Sequence, residues 1–200
     1  MAFVDPARRH RAKAAFSSAD YDEEIDDIYR WLKRLSNGAL RGQITFPATQ
    51  NPSANANVLD DYEEGIWTPV LTCVTPGDLA VTYAADSQFG SYVKLGKLIY
   101  VTYFIVTTEM TETTASGSVQ IAGLPFKSGP LLYHTGTLPQ VQGVTVAGYS
   151  IFAPRIGPGV DYLDILAGGS GVNAVGVDIS NITHGPANLM FIGSISYYPA

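Results

Sequence analysis

The sequence predicts a mainly β protein: an antiparallel β-sandwich or jelly-roll-like domain over residues 66–200, behind one N-terminal α-helix and an extended tether. Three observations lead there. Residues 1–65 hold eight of the 12 Lys and Arg and 11 of the 18 Asp and Glu, which leaves 11 charged residues in the following 135. That is about a third of the charge density usual in a globular domain, and the shift marks a boundary near Gly65. The same span carries 17 Gly, 14 Thr and nine Tyr, a composition suited to strands and turns. Its apolar residues fall in short runs punctuated by Gly and Pro.

The first element, within residues 1–38, is a helix. Ser17-Ser18 offers an N-cap, and Asp20, Asp22, Glu23 and Glu24 fill the first turn, where carboxylates favour the positive end of the helix dipole. Arg30, Lys33 and Arg34 lie in the last turns, and Asn37-Gly38 supplies a stop. The span is about 18 residues, roughly 27 Å. Tyr21, Ile25, Ile28, Leu32 and Leu35 are spaced four, three, four, three. This is an a/d seam whose Ile residues lean toward three or four strands. An ordinary amphipathic helix packed on its own domain has the same pattern, but a two-heptad coil at the end of a tether is marginal alone and calls for a partner. Ahead of the helix, Arg8, Arg9, Arg11 and Lys13 form a basic cluster with His10. It reads either as a solvated tail or as an arm that docks on an acidic protein surface.

Residues 39–65 form the tether and its acidic end. Pro47 and Pro52 prevent a continuous helix and favour extended backbone, so residues 39–57 can reach about 60 Å. The run then enters LDDYEEG, with four carboxylates, Asp60, Asp61, Glu63 and Glu64, in five residues. A catalytic pair needs two acids in different environments, and a calcium loop needs alternating ligands and a turn glycine; neither pattern is met. The favoured reading is a solvated turn or half-helix leading into a strand over 66–74, with Tyr62 and Trp67 as packing anchors at a stem–head junction. Asp60 or Asp61 is expected either to cap the next element or to pair with a base such as Lys94 or Arg41 of a neighbouring chain.

The string FPATQNPSANANVLDDYEEGIWTPVL, with GSYVKLGKLIYV (Gly90–Val101) and IAGLPF (Ile121–Phe126) after it, resembles a segment that recurs in tail-fibre and related virion fibre proteins of bacteriophages and prophages. The likeness covers about residues 43–126, with three motifs in order. It implies a virion protein, usually a trimeric fibre or spike, attached to other virion proteins of tail, portal or capsid.

Strands follow from the residues themselves. The run 97–108 is apolar on both faces, which predicts a central strand or one at a subunit interface. Leu95-Gly96-Lys97 supplies the tight turn that pairs it with Tyr92–Leu95. Further strands are expected at 117–122, 141–148, 149–156, 161–167 and 174–180. The last strand, in NLMFIGSISYYP, puts Leu189, Phe191, Ile195 and Tyr197 on one face. A domain so poor in charge has poorly protected faces as a monomer, and burial between identical chains is the remedy. Threefold symmetry would also gather three N-terminal helices, so a homotrimer is expected.

Several classes are disfavoured. A net charge of −6 argues against nucleic acid as a partner. Cys73 alone leaves no intramolecular disulfide and no cysteine zinc site. No apolar run approaches the roughly 18 residues that span a bilayer, and no apolar segment follows the basic start as in a signal peptide. The expectation is a chain made in the host cytoplasm that ends in a virion, without membrane insertion. His134 and His184 lie among small and turn residues, and Glu109/Glu112 and Asp161/Asp164 read as solvated loop acids rather than a glycosidase pair. No cofactor, metal or enzymatic activity is expected. Two functions remain: a non-enzymatic fibre that adsorbs to a host glycan or protein, or a fibre that degrades capsule. A head fibre, capsid decoration or tail adaptor is the variant without a receptor. Tyr133, His134, Asp161 and Tyr162 are the receptor candidates, as aromatic platforms with polar neighbours near loops.

Overall fold

The computed structural model describes residues 25–30, 32, 59, 61–184 and 189–200. The chain falls into two compact units, Met1–Phe46 and Pro47–Ala200. In the first, residues 25–30 and 32 are helical and exposed. Arg30 lies 3.9 Å from Asp26 and 3.8 Å from Asp27, the spacing at which one helix face pairs charges.

The second unit is antiparallel β throughout. Ten strands are described: β1 (Tyr62–Trp67), β2 (Val70–Thr75), β3 (Ala80–Leu95), β4 (Leu98–Thr111), β5 (Ser116–Ala122), β6 (His134–Gln142), β7 (Ile151–Ile156), β8 (Tyr162–Gly169), β9 (Val172–Gly176) and β10 (Met190–Tyr197). Their hydrogen-bonded order is β1-β3-β4-β10-β6-β7-β8-β5-β2, with β9 beside β8. The path folds on itself at β6. A front sheet, β1-β3-β4-β10-β6, and a back sheet, β6-β7-β8-β5-β2, share one core. Ile99, Val101, Tyr103 and Ile105 of β4 and Phe191, Ile195 and Tyr197 of β10 join Val119, Ile121, Leu163, Ile165 and Ile156 of the back sheet in a single buried cluster. A mainly antiparallel β domain is what the composition implies.

Several local expectations are corrected. LDDYEEG is not a turn or half-helix. Residues from Tyr62 onward are already strand and pair with β3 from Tyr62↔Leu95 to Trp67↔Gly90. The single strand expected over 66–74 is two, because the chain crosses at Thr68-Pro69 from the front sheet to β2 of the back sheet. Proline cannot donate to a ladder, so the crossing falls where no ladder bond is lost; the Pro69 carbonyl instead accepts from Gln88 Nε2 at 3.0 Å.

β4 is a central strand, between β3 and β10, as expected, and the single chain buries one of its faces. Ile99, Val101, Tyr103 and Ile105 point into the core, whereas Leu98 and Tyr100 are exposed and Phe104 is half-buried. The β3–β4 turn forms as expected, with Gly96 at φ 55°, a conformation glycine adopts without a Cβ penalty. The strand expected over 141–148 is replaced by β6, which ends at Gln142. The span expected at 174–180 divides into the end of β9 and a 3-10 turn, Ile179–Asn181, capped by Asp178. On β6, Leu138 and Pro139 stand opposite the single Gly193 of β10, a bulge that accommodates the proline.

Candidate functional site

The three motifs that carried the family resemblance meet at one end of the sandwich. β1 lies beside β3 so that Asp61 and Lys94 form an ion pair with side chains only 10% and 12% exposed. This corrects the expected partner: the base is Lys94, but of the same chain. The Asp61 carbonyl also accepts the amide of Gly96 at 2.8 Å, fixing the β3–β4 turn. Glu63 accepts the Tyr92 hydroxyl at 2.5 Å, and that bond to a carboxylate pushes the phenol up to about 12. Phe126 of the LPF motif packs edge-on against Tyr92 at 5.5 Å and lies under the Lys94 ammonium at 5.0 Å. Its carbonyl accepts the Tyr197 hydroxyl at 2.9 Å.

The glycines of these motifs make room for the aromatics beside them. A Cβ at Gly90 would sit 2.2 Å from the Trp67 indole, and one at Gly65 2.8 Å from the Tyr92 ring. Trp67 Nε1 is then free to donate to the Thr102 carbonyl at 3.1 Å. The spacing of EEGIW and FGSYVK thus encodes a lock between two neighbouring strands.

A second cluster lies on the outer face of the back sheet. Gln120, Asp164, Arg155 and Thr135 stand in one cross-strand row through β5, β8, β7 and β6. Arg155 donates to Asp164 Oδ2 at 3.0 Å, and Gln120 Nε2 donates to Oδ1 at 3.2 Å. The Arg155 guanidinium lies 5.3 Å from the Tyr133 ring, an arrangement in which the ring face attracts the cation. Leu131, Leu132 and Tyr133 are exposed ahead of β6. His134 packs against Tyr198 at 5.7 Å and Tyr197 at 6.3 Å, and burial holds its pKa below the ordinary value.

Of the four receptor candidates, Tyr133 and His134 therefore adjoin in this region. Tyr162 lies on the same outer face, opposite Ala122 of β5. Asp161 serves through its backbone, its carbonyl accepting the Leu124 amide at 3.1 Å. Sequence reasoning missed Arg155 and Gln120. The available signal was that Arg155 is the sole arginine after residue 41.

Among the other predicted positions, Ile25, Ile28 and Leu32 are exposed helical residues. Tyr21, Leu35, Arg8, Arg9, Arg11, Lys13 and Asp60 lie outside the described residues. Tyr62 donates to Glu64 Oε2 at 2.6 Å. Two of the four acids expected in solvated loops are strand residues instead: Glu109 stands on an exposed position of β4 opposite Thr82, and Asp164, 16% exposed, lies in β8, while Glu112 faces His184 at 3.4 Å. Cys73 is buried in the core. Among the described residues no three His, Cys, Asp or Glu side chains gather as a metal site, and no helix is long and apolar enough to cross a membrane.

No protein-family model matches the chain, and no curated protein matches it. Among solved structures, the crystal structure of Dettilon tailspike protein (gp208) is similar, with a TM-score of 0.51 and 18% sequence identity. The match covers 67% of this chain and 23% of that one. The chain therefore spans less than a quarter of the tailspike chain, and the likeness is one of fold.

Proposed function

We propose that the chain is a structural component of a bacteriophage virion. In this reading it is a short homotrimeric tail fibre or spike, attached through residues 1–38 and presenting its β-domain for host-surface adsorption. The observation that carries the reading is the interlocking of the three fibre-like motifs: Asp61 and Glu63 of the first hold Lys94 and Tyr92 of the second, and both of these side chains pack on Phe126 of the third. The fold likeness to a tailspike agrees with it.

The β-domain acts by binding rather than by chemistry. Tyr133, backed by the Arg155 guanidinium and flanked by Leu131, Leu132 and His134, offers an aromatic and apolar surface with a polar rim at Gln120 and Asp164. That combination suits a sugar ring or a protein loop on the host surface. The N-terminal seam, with Ile25, Ile28 and Leu32 exposed in the single chain, and the basic residues ahead of it supply attachment and self-association.

Immunogold labelling of phage particles carrying this protein, with antibodies to the β-domain, tests the location. Label at the tail tip is the expected result. Label on the capsid would replace the reading with a head fibre or capsid decoration, and unlabelled particles would overturn it. Competition then tests the binding role: soluble full-length protein should block adsorption of the phage, and Tyr133→Ala should block it less well. Equal blocking by the two would remove Tyr133 from the receptor surface.

A further inference from the structure

We infer that Lys94 and Asp61 go on from an ion pair to a covalent bond: an amide between Lys94 Nζ and Asp61 Cγ, formed with loss of one water. Such a bond needs only the β1–β3 ladder and does not depend on the virion reading. The ladder sets Glu63 directly opposite Lys94, and Ile99 of β4 lies on the other side of the lysine. Asp61 stands just ahead of β1 and is held by its carbonyl, which accepts the Gly96 amide at 2.8 Å. Residues two apart on a strand share a face. Asp61 and Glu63 therefore meet Tyr92 and Lys94 on one side of the paired strands.

The setting favours reaction over a lasting ion pair. Both side chains are about nine-tenths buried. Asp61 Oδ2 has Lys94 Nζ beside it and no hydrogen-bond partner among the described residues. The ammonium also meets the Phe126 ring at 5.0 Å, and Ile99, its neighbour in the ladder, is wholly buried. Two opposite charges out of water are costly unless further hydrogen bonds offset the lost hydration, and an amide removes both charges at once. Strand pairing keeps amine and carboxyl in contact, so the encounter is already made. The apolar surround excludes the bulk water that would drive the reverse reaction.

The step balances without an oxidant or a further reactant. The ammonium passes one proton to the carboxylate, leaving an amine and a carboxylic acid. The nitrogen lone pair attacks Cγ, the bond from Cγ to the leaving hydroxyl breaks, and a second nitrogen proton departs with that hydroxyl as water. Glu63, opposite Lys94 on the edge strand, is placed to relay this second proton, and the Tyr92 hydroxyl holds its carboxylate at 2.5 Å. The product closes a ring from residue 61 to residue 94 that contains all of β1 and β2. The edge strand can then no longer peel from β3 where residues 39–60 enter the β-domain.

Mass spectrometry of the denatured full-length protein, freshly purified and after prolonged incubation at neutral pH, tests the bond. The expected mass is that of the sequence less one water. Glutamate-specific cleavage should leave segment 25–64 joined to segment 65–109 through Lys94. Lys94→Arg retains a positive charge but should keep its full sequence mass, and its two segments should separate. Glu63→Gln should retain an unlinked fraction where wild type has none. A wild type that holds its full sequence mass after incubation overturns the bond, as does a lost water that maps away from Lys94 and Asp61. Complete linkage in Glu63→Gln removes Glu63 from the step. Should a variant fail to fold, the wild-type mass and linkage decide alone.

Discussion

On the front sheet the ion pair faces inward and the hydrocarbons face out: Lys94 and Asp61 are about nine-tenths buried, while Leu95, Leu98 and Tyr100 meet solvent. On the back sheet Ile121, Leu163 and Ile165 fill the core, and the charged row Gln120–Asp164–Arg155 lies outside. Arg155 and Asp164 are 36% and 16% exposed. Both sheets are antiparallel, share β6 and enclose the same core, so neither topology nor strand chemistry accounts for the difference. The difference lies in which residues each strand turns outward: the back sheet pairs its charges across the outer face, and the front sheet sends its one close ion pair inward.

The largest effect is expected at the inward pair. Asp61→Ala leaves the Lys94 ammonium buried without its counter-charge, and removing one member of a buried pair costs about 3 kcal/mol. Urea unfolding of the full-length protein reads this directly. A loss under about 1 kcal/mol would mean that water reaches Lys94 and that the inward pair resembles the outward one. Arg155→Ala should cost less, about 1 kcal/mol, because Asp164 keeps the Gln120 amide and partial solvent access. Salt separates the two. Raising NaCl toward 1 M should shrink the Arg155 effect and leave the Asp61 effect nearly unchanged, since screening acts on exposed charges.

A smaller change probes the outer face of the front sheet. Ser91→Ala removes the partner of the Thr102 hydroxyl. With water at hand the loss should stay within about 0.5 kcal/mol. Urea unfolding measures it, and a loss above about 1 kcal/mol would mean that water does not replace the serine at Thr102.

The sequence was most legible where alternation and burial coincide. Leu189, Phe191, Ile195 and Tyr197 were placed inside from their period alone, and all four are buried. On β4 apolar residues on both faces marked a central strand, and it does lie between β3 and β10, though the single chain buries only one of its faces. Hydrophobicity alone did not say which face that is. β6 was hidden because glycine and proline, here Gly136 and Pro139, are disfavoured inside strands. In the fold Gly136 lies against the β10 backbone, where a Cβ would meet the Ser194 carbonyl at 2.1 Å, and Pro139 sits in the bulge. LDDYEEG concealed a strand for a related reason. Glu63 and Glu64 point to opposite faces, each held by a tyrosine hydroxyl, one of them 29 residues away. Pairing of that range leaves no local signature.

The smallest expected effect tests what ties the two sheets together. Asp78 lies in the turn from β2 of the back sheet to β3 of the front, and its carboxylate reaches the return loop between β4 and β5. It accepts the amides of Thr113 at 2.9 Å and Thr114 at 2.8 Å, and both threonine hydroxyls, at 2.6 and 2.8 Å. These bonds hold its pKa far below the usual carboxylate range. A folded-state value below the unfolded one means that the tie is complete above the unfolded pKa, near ~4. It is lost as pH falls from there through the depressed folded value. Asp78 is exposed, so the consequence is local opening of the two loops rather than global unfolding. Hydrogen exchange at the Thr113 and Thr114 amides, referred to their intrinsic rates, should show protection at pH 6 that falls below pH ~4. In Asp78→Asn protection should be weaker and flat across the same range. Unchanged protection in the variant would mean that the sheets hold this corner without the carboxylate.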